Sequence, residues 1–158
     1  MRIPKLTVAL LLGCVLSSAA VADNQTPFSG AFVAKTAHGY EQQVEKLLAA
    51  IAKHKMGVVA RASATNGAKS LGITIAGNQV VMVFHSKFAV RMLKASVAAG
   101  IEAPLRYYIT ENADGTATLT YRAPSSIFSS YDNADLNAMA GELDVIFAAI
   151  AADAIAPP

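Results

Sequence analysis

The stretch that decides the fold lies between Gln79 and Ile109. It begins with residues 79–86, which read QVVMVFHS, and continues with residues 87–94, which read KFAVRMLK. A short, uninterrupted apolar run led by β-branched residues is typical of a strand covered on at least one full face. The following segment predicts a helix, with Ser86 suited to cap its start and Gly100 to mark its end. We therefore expect a central strand that passes directly into a packed helix.

Upstream of this stretch, residues 31–36 predict a first strand, and a helix that ends before Gly57 follows it. Its apolar stripe recurs at helical spacing and consists of Tyr40, Val44, Leu47, Leu48 and Ile51. Residues 58–62 predict a second strand. Residues 63–72 predict a connection containing one short helix, and residues 73–75 begin another strand.

Downstream, residues 105–110 and 117–122 alternate apolar and polar side chains on either side of Asp114-Gly115, which is a strong hairpin signal. We expect one face of this hairpin to be buried and the other to be exposed to solvent. Residues 124–131 predict a loop, and Asp132 is suited to cap a final helix. The expected buried stripe of that helix is Leu136, Met139, Ala140, Leu143, Ile146, Phe147 and Ile150.

The order of these elements predicts an α+β domain, in which helices pack on one face of a mostly antiparallel sheet. We expect this single domain to span residues 31–156. The sequence contains no internal repeat, no low-complexity tract and no sign of a second domain.

The N-terminus has the pattern of a secretory signal peptide. Arg2 and Lys5 supply positive charge, residues 6–16 form an apolar core too short to span a bilayer comfortably, and residues 20–22 (AVA) match a cleavage site. We predict a signal peptide over residues 1–22, a flexible leader over residues 23–30, and a periplasmic or secreted location. No membrane span is expected.

An alternative N-terminus arises because residues 11–14, LLGC, resemble a bacterial lipobox. Processing there would leave Cys14 lipidated and anchor the protein to the envelope as an accessory factor. The apolar stretch continues past Cys14 to a better site, so cleavage near Ala22 is favoured. Such cleavage leaves 136 of the 158 residues and removes the only cysteine, which excludes disulfides and thiolate chemistry.

The charge of the mature chain argues against nucleic acid as a partner. The full chain has 13 basic and 11 acidic residues, and removal of Arg2 and Lys5 leaves them equal. Phosphate binding requires a surplus of cations, which is absent. Residues 23–100 carry about +6 and residues 101–158 about −6 by that count, so we expect the two halves to pair within the chain or, alternatively, between subunits.

His85 is the best single candidate for a functional residue, because it lies where a strand is predicted to end and a helix to begin. An anion there could contact Ser86, the helix amides, Arg91 and Arg106. Tyr108 from the hairpin completes the candidate ligand-binding set. The alternatives are an ordinary histidine at a strand–helix joint and, for the hairpin tyrosines, cross-strand packing without a ligand.

Metal and enzyme sites have weaker support. Met82, His85 and Met92 suggest periplasmic copper, but residues three apart in a strand point to opposite faces, and both methionines are expected in the core. His38 and His54 flank the first helix without ligand spacing, so no metal or cofactor is predicted. The sequence contains no nucleophile elbow, phosphate loop or dinucleotide fingerprint. A hydrolase or isomerase-like enzyme using His85 with Arg91, Arg106 or a tyrosine remains the alternative.

With these landmarks in place, the chain resembles the domain family of unknown function called DUF302. Six features carry the resemblance: a strand and helix closing at Met56-Gly57, residues 68–73 (AKSLGI), the apolar run ending in Phe84, the helix containing Ala89 and Leu93-Lys94, the PLR entry at Pro104, and the Asp114-Gly115 hairpin leading to Pro124.

The resemblance implies half of a TATA-binding-protein-like saddle, frequently as a homodimer, with no established reaction. DNA binding does not follow, because charge and predicted export oppose it. Many members carry Asp-His where this chain has Ser63-Ala64, and Gly-Asn-Pro where it has residues 85–87. Taken together, we expect an exported, non-catalytic, dimeric domain that binds a small molecule between sheet and helices.

Overall fold

Five strands and five helices make up residues 29–157, the part of the chain that this computed structural model describes. The predicted signal peptide and most of the predicted leader lie outside it. The strands are β1 (Ala31–Gly39), β2 (Gly57–Ala62), β3 (Asn78–Phe84), β4 (Leu105–Glu111) and β5 (Thr116–Arg122). The helices are α1 (Tyr40–Lys53), α2 (Ala64–Ser70), α3 (Ser86–Ala95), α4 (Pro124–Phe128) and α5 (Ala134–Ile155), with 3-10 turns at Ala98–Glu102 and Ser129–Tyr131.

The strands form one antiparallel sheet in the order β1-β5-β4-β3-β2. The helices cover one face of it, which confirms the predicted α+β class. β3 is an interior strand, paired with β2 on one side and β4 on the other, but the middle position belongs to β4. Order within a sheet depends on pairing between distant strands, which the apolar run in β3 could not reveal.

The core lies between the sheet and the helices. In β3, Val81 and Val83 face the helices and are buried, whereas Val80 and Met82 lie half-buried on the open face. The prediction that Met82 belongs to the core is therefore wrong, because the pleat turns it to the other face. The buried side chains of α5 are Leu136, Met139, Ala140, Leu143, Phe147, Ile150, Ala151 and Ala154. Ile146, which was predicted to be buried with them, packs against the core but is only partly buried.

Aromatic side chains join the hairpin to α5. Tyr107 is fully buried and lies opposite Tyr121, and its ring stacks on that of Phe147 with the centroids 4.8 Å apart. The Tyr107 hydroxyl donates a hydrogen bond of 2.9 Å to the Phe147 carbonyl. Burial raises the pKa of Tyr107 well above its ordinary value, so the hydroxyl stays protonated. These tyrosines serve as cross-strand core partners.

Two of the predicted secondary-structure assignments were wrong. Residues 73–75 are not a strand, because their neighbour Ala76 accepts a hydrogen bond from the Thr65 hydroxyl, which ties the segment to α2. Residues 124–131 are not a plain loop but α4 and a 3-10 turn. Pro124 occupies the first turn of α4, where its missing N–H costs nothing.

Two predicted helix boundaries also differ. Asn133, not Asp132, caps α5, since its side-chain oxygen accepts from the Leu136 amide at 3.1 Å. Asp132 instead takes a left-handed conformation with φ of 47°. Gly100 lies within the 3-10 turn, since α3 already ends at Ala95.

The opposite charges of the two halves meet within the chain, as one of the two alternatives predicted. Each of three ion pairs joins a cation from the first half to a carboxylate from the second: Lys35–Asp114, Lys53–Asp153 and Arg91–Glu142. Two buried side chains of β1 and α1 also reach the end of α5. His38 contacts the Ala156 carbonyl at 2.8 Å, and Gln43 donates to the Ala154 carbonyl at 3.1 Å.

Candidate functional site

The junction between β3 and α3 places His85 at the start of a helix. Its Nδ1 accepts a hydrogen bond of 3.1 Å from the Lys87 amide, so His85, rather than the predicted Ser86, is the N-cap. Because Nδ1 is an acceptor there, the neutral ring carries its proton on Nε2. The ring also packs edge-on against Phe88, with centroids 5.7 Å apart. His85 therefore offers one N–H donor.

A small apolar cavity of about 30 Å³ lies beside this histidine, between the sheet and the helices. Three methionines from separate parts of the chain line it: Met56 before β2, Met92 on α3 and Met139 on α5. His85 and Phe88 are also among its lining residues. Methionine side chains are unbranched and adapt to irregular neighbours, so this cavity is one that a ligand could widen without disturbing the backbone.

Ser86 is the first residue of α3, and its side chain is exposed. The Lys87, Phe88 and Ala89 amides already donate hydrogen bonds to His85. What the start of α3 offers a ligand is therefore the partial positive charge of the helix dipole, which attracts an anion. Lys87 is exposed beside Ser86. The polar groups at the start of α3 thus adjoin the apolar cavity.

Arg91 lies one turn further along α3 and is already engaged. Its two terminal nitrogens each donate a hydrogen bond of 2.7 Å to the Glu142 carboxylate, and its guanidinium lies 5.6 Å from the centre of the Phe88 ring. The hydrogen bond from Arg91 lowers the pKa of Glu142 below its ordinary value. Both side chains are exposed, so Glu142 competes with any anion for Arg91.

The two remaining predicted residues lie on the other side of the sheet. Arg106 is paired with Met82 and Tyr108 with Val80, so both side chains project from the open face. His85 borders the cavity on the helix side. The structure therefore groups His85, Ser86 and Arg91 near the start of α3 and separates them from Arg106 and Tyr108. The ligand-binding role of all five stays a prediction.

A second cleft, which the sequence did not reveal, has a volume of about 370 Å³ and lies at the start of α1. Tyr40, Glu41, Gly77 and Glu111 are among its lining residues. The Glu111 carboxylate accepts a hydrogen bond of 2.7 Å from the Gly77 amide, and the Tyr40 ring lies against Gly77. Burial raises the pKa of Tyr40 above its ordinary value, and the negative charge of Glu41 raises it further.

Only weak sequence signals marked this cleft. The sequence predicts Tyr40 in the apolar stripe of α1, and the Gly77-Asn78 pair is typical of a turn. Their contact joins parts of the chain that are far apart in sequence, so neither local pattern could predict it.

Histidine and carboxylate side chains do not gather into a metal site within residues 29–157, where the structure shows no cluster of three such ligands or cysteines. His54 lies 2.7 Å from the Asp153 carboxylate, and His38 is turned to the end of α5. Met82 lies on the open face of the sheet, whereas Met92 is buried in the core on the helix side. None of the helices in the described part of the chain has the length and hydropathy needed to cross a bilayer.

Comparison with known proteins gives a family but no activity. A family model described as a domain of unknown function, DUF302, matches residues 32–154. The fold is similar to that in the crystal structure of an uncharacterised conserved DUF302 protein from Bacillus stearothermophilus, with a TM-score of 0.72 and 17% sequence identity over 82% of this chain and 100% of that one. At this identity the likeness shows the fold alone. No curated protein matches this chain.

Proposed function

This chain belongs to the DUF302 family, and we propose that it is an exported, non-catalytic domain that binds a small molecule at the start of α3 and works as a homodimer. The ligand in this proposal has an apolar group and an anionic or hydrogen-bond-accepting group. The apolar group enters the methionine-lined cavity, and the polar group meets the N–H of His85 and the start of α3.

One observation carries the binding proposal: His85, whose Nε2 has no hydrogen-bond partner among residues 29–157, lies at the start of α3 directly beside an adaptable apolar cavity. Ligand sites commonly combine an apolar lining with a few convergent polar groups. Ser86 adds an exposed hydroxyl. Among the five predicted site residues, these are the ones whose surroundings support a shared ligand.

The same geometry disfavours the alternative enzyme. General acid–base catalysis by His85 needs a second polar group within reach of the same substrate atom. Arg91 is held by Glu142, and Arg106 lies on the opposite face of the sheet. The Nδ1 of His85 also caps α3, so it is not available as the acceptor that a neutral general base would use.

A pair of His85 variants tests the binding proposal. Native mass spectrometry of the protein recovered from its native envelope would identify a co-purifying molecule. His85→Asn keeps a side-chain acceptor suited to capping α3 but removes the ring and its N–H, whereas His85→Ala removes both. We expect both variants to lose the bound molecule, while only His85→Ala loses stability. Retention of the molecule by His85→Asn would contradict the proposed site.

The homodimer proposal is supported by the open face of the sheet. Val80, Met82 and Phe84 lie half-buried there, and Tyr108 and Val33 are 41% and 45% exposed. These apolar side chains share the face with Arg106 and with Thr118 and Thr120 of β5, and a mixed face of this kind is suited to contact with a second copy. Analytical ultracentrifugation should detect a dimer that Met82→Glu dissociates. A wild-type protein that stays monomeric at high concentration would refute the dimer.

The export proposal is supported by the pattern of residues 1–22. Mass spectrometry of the mature N-terminus tests it, because cleavage after Ala22 gives a protein that starts at Asp23. A lipidated Cys14 at the N-terminus would instead establish the envelope-anchored alternative. A chain that keeps residues 1–22 would overturn export.

A further inference from the structure

The outer side of α3 and the following 3-10 turn carries an exposed apolar ridge, which we define as Val90, Leu93, Val97 and Ile101. These side chains are 68%, 46%, 80% and 82% exposed. The Leu93 side chain also lies close to Gly100, next to Ile101. The four exposed side chains therefore come from one continuous segment, α3 and the 3-10 turn that folds back against Leu93.

Basic side chains border this ridge. At 100° per residue, Val90 and Leu93 lie 60° apart on the outer side of α3, and Lys94 and Lys87 follow on the flank beyond Val90. Neither lysine forms an ion pair with a carboxylate of the residues that the structure describes. α3 itself contains three cations and no acidic residue.

Two of the nearby carboxylates are engaged by other side chains. Glu102, at the end of the 3-10 turn, accepts a hydrogen bond from the Tyr131 hydroxyl at 3.0 Å. Glu142 is held by Arg91 on the side of α3 that faces α5. Asp135 of α5 also lies near Arg91. Lys87 and Lys94 are thus the charges beside the ridge that no carboxylate of residues 29–157 pairs.

We propose that this ridge docks the protein on the surface of an anionic lipid bilayer. Exposed apolar side chains can enter the boundary between headgroups and acyl chains, and neighbouring lysines can contact anionic headgroups. The charge of Lys87 and Lys94 selects an anionic lipid surface over a second copy of this chain, since two such ridges repel each other. This proposal is independent of the ligand at His85.

Vesicle co-sedimentation tests the docking proposal. The full chain and its variants would be mixed with vesicles of phosphatidylcholine alone and with vesicles that also contain phosphatidylglycerol. All proteins would have the same N-terminus, so any contribution of residues 1–28 cancels. We expect binding to the anionic vesicles that weakens with added salt.

The variants separate the two parts of the ridge. Val97→Asp and Ile101→Asp should each lower the partition coefficient by about tenfold or more, because each removes an inserted apolar group and adds a repelled charge. Lys87→Gln and Lys94→Gln should each lower it by about fivefold on anionic vesicles only. The matched control is Val145→Asp on α5, where the valine is 71% exposed and lies outside the ridge; its binding should equal that of the wild type.

Three results would overturn the proposal: no binding to either vesicle, equal loss in Val97→Asp and Val145→Asp, or a vesicle-free dimer that Val97→Asp dissociates. The last result would assign the ridge to contact between copies. Since all the substituted side chains are exposed, thermal unfolding should show that the variants remain folded.

Discussion

Gly77→Ala gives the sharpest test of the packing at the cleft beside α1. A Cβ at residue 77 would lie 2.7 Å from the nearest atom of the Tyr40 ring, whereas ordinary contacts begin at 3.4 Å. The ring or the chain would have to move by the difference of about 0.7 Å. Overpacking of this kind costs about 1–3 kcal/mol of unfolding free energy.

A double-mutant cycle assigns that cost to one contact. Tyr40→Ala removes the ring, so Gly77→Ala should cost less than about 0.5 kcal/mol in that background, and the coupling energy should equal the rest. Urea denaturation followed by circular dichroism would supply all four free energies.

Gly141→Ala is the matched control for this cycle. Gly141 lies inside α5, and a Cβ there would meet no atom within 4 Å. This substitution should stabilise the protein by up to about 1 kcal/mol, because alanine is the better helix former. The reasoning fails if Gly77→Ala leaves the free energy of unfolding unchanged, or if it lowers that free energy equally with and without the Tyr40 ring.

Three further predictions concern the core and the acid stability. Tyr107→Phe should lower the unfolding free energy by about 0.5–1.5 kcal/mol in urea, since it removes one hydrogen bond but keeps the stacked ring; a loss as large as that of a cavity would contradict this account. Phe147→Ala should cost about 3–5 kcal/mol in the same assay, because it empties the centre of the aromatic cluster, and a loss below 1 kcal/mol would show that α5 packs less tightly than described. Lys53 and then His54 lower the pKa of Asp153 from its ordinary value of about 4. A carboxylate with a lowered pKa stabilises the protein above that value and loses this contribution as the pH falls below it. The melting temperature of Asp153→Asn should therefore fall less than that of the wild type when the pH is lowered below about 4. Equal falls in melting temperature would exclude this ion pair as a source of the pH dependence.

The sequence was most informative where a local pattern decides the structure. The apolar run of β3, the hairpin at Asp114-Gly115 and the stripe of α5 all rest on periodicity within one element, and all three were predicted. Helix caps were harder to predict from the sequence. Ser86 has the better intrinsic preference for capping, yet His85 caps α3 because its ring nitrogen meets the Lys87 amide.

The candidate site was predicted only in part, because sheet register decides which residues meet. His85 was placed correctly at the end of a strand and the start of a helix. Its separation from Arg106 follows from the pairing of β3 with β4, which no local pattern specifies. The cleft at Tyr40 depends on the same kind of distant contact.

The position of α5 after all five strands has a consequence for folding. This helix covers the core with eight buried side chains, and its last turn is held by His38 and Gln43 from the start of the domain. Until α5 has been synthesised the five strands lack this cover, so the apolar face of the sheet stays open to water and the core closes only when the last element of the domain has formed.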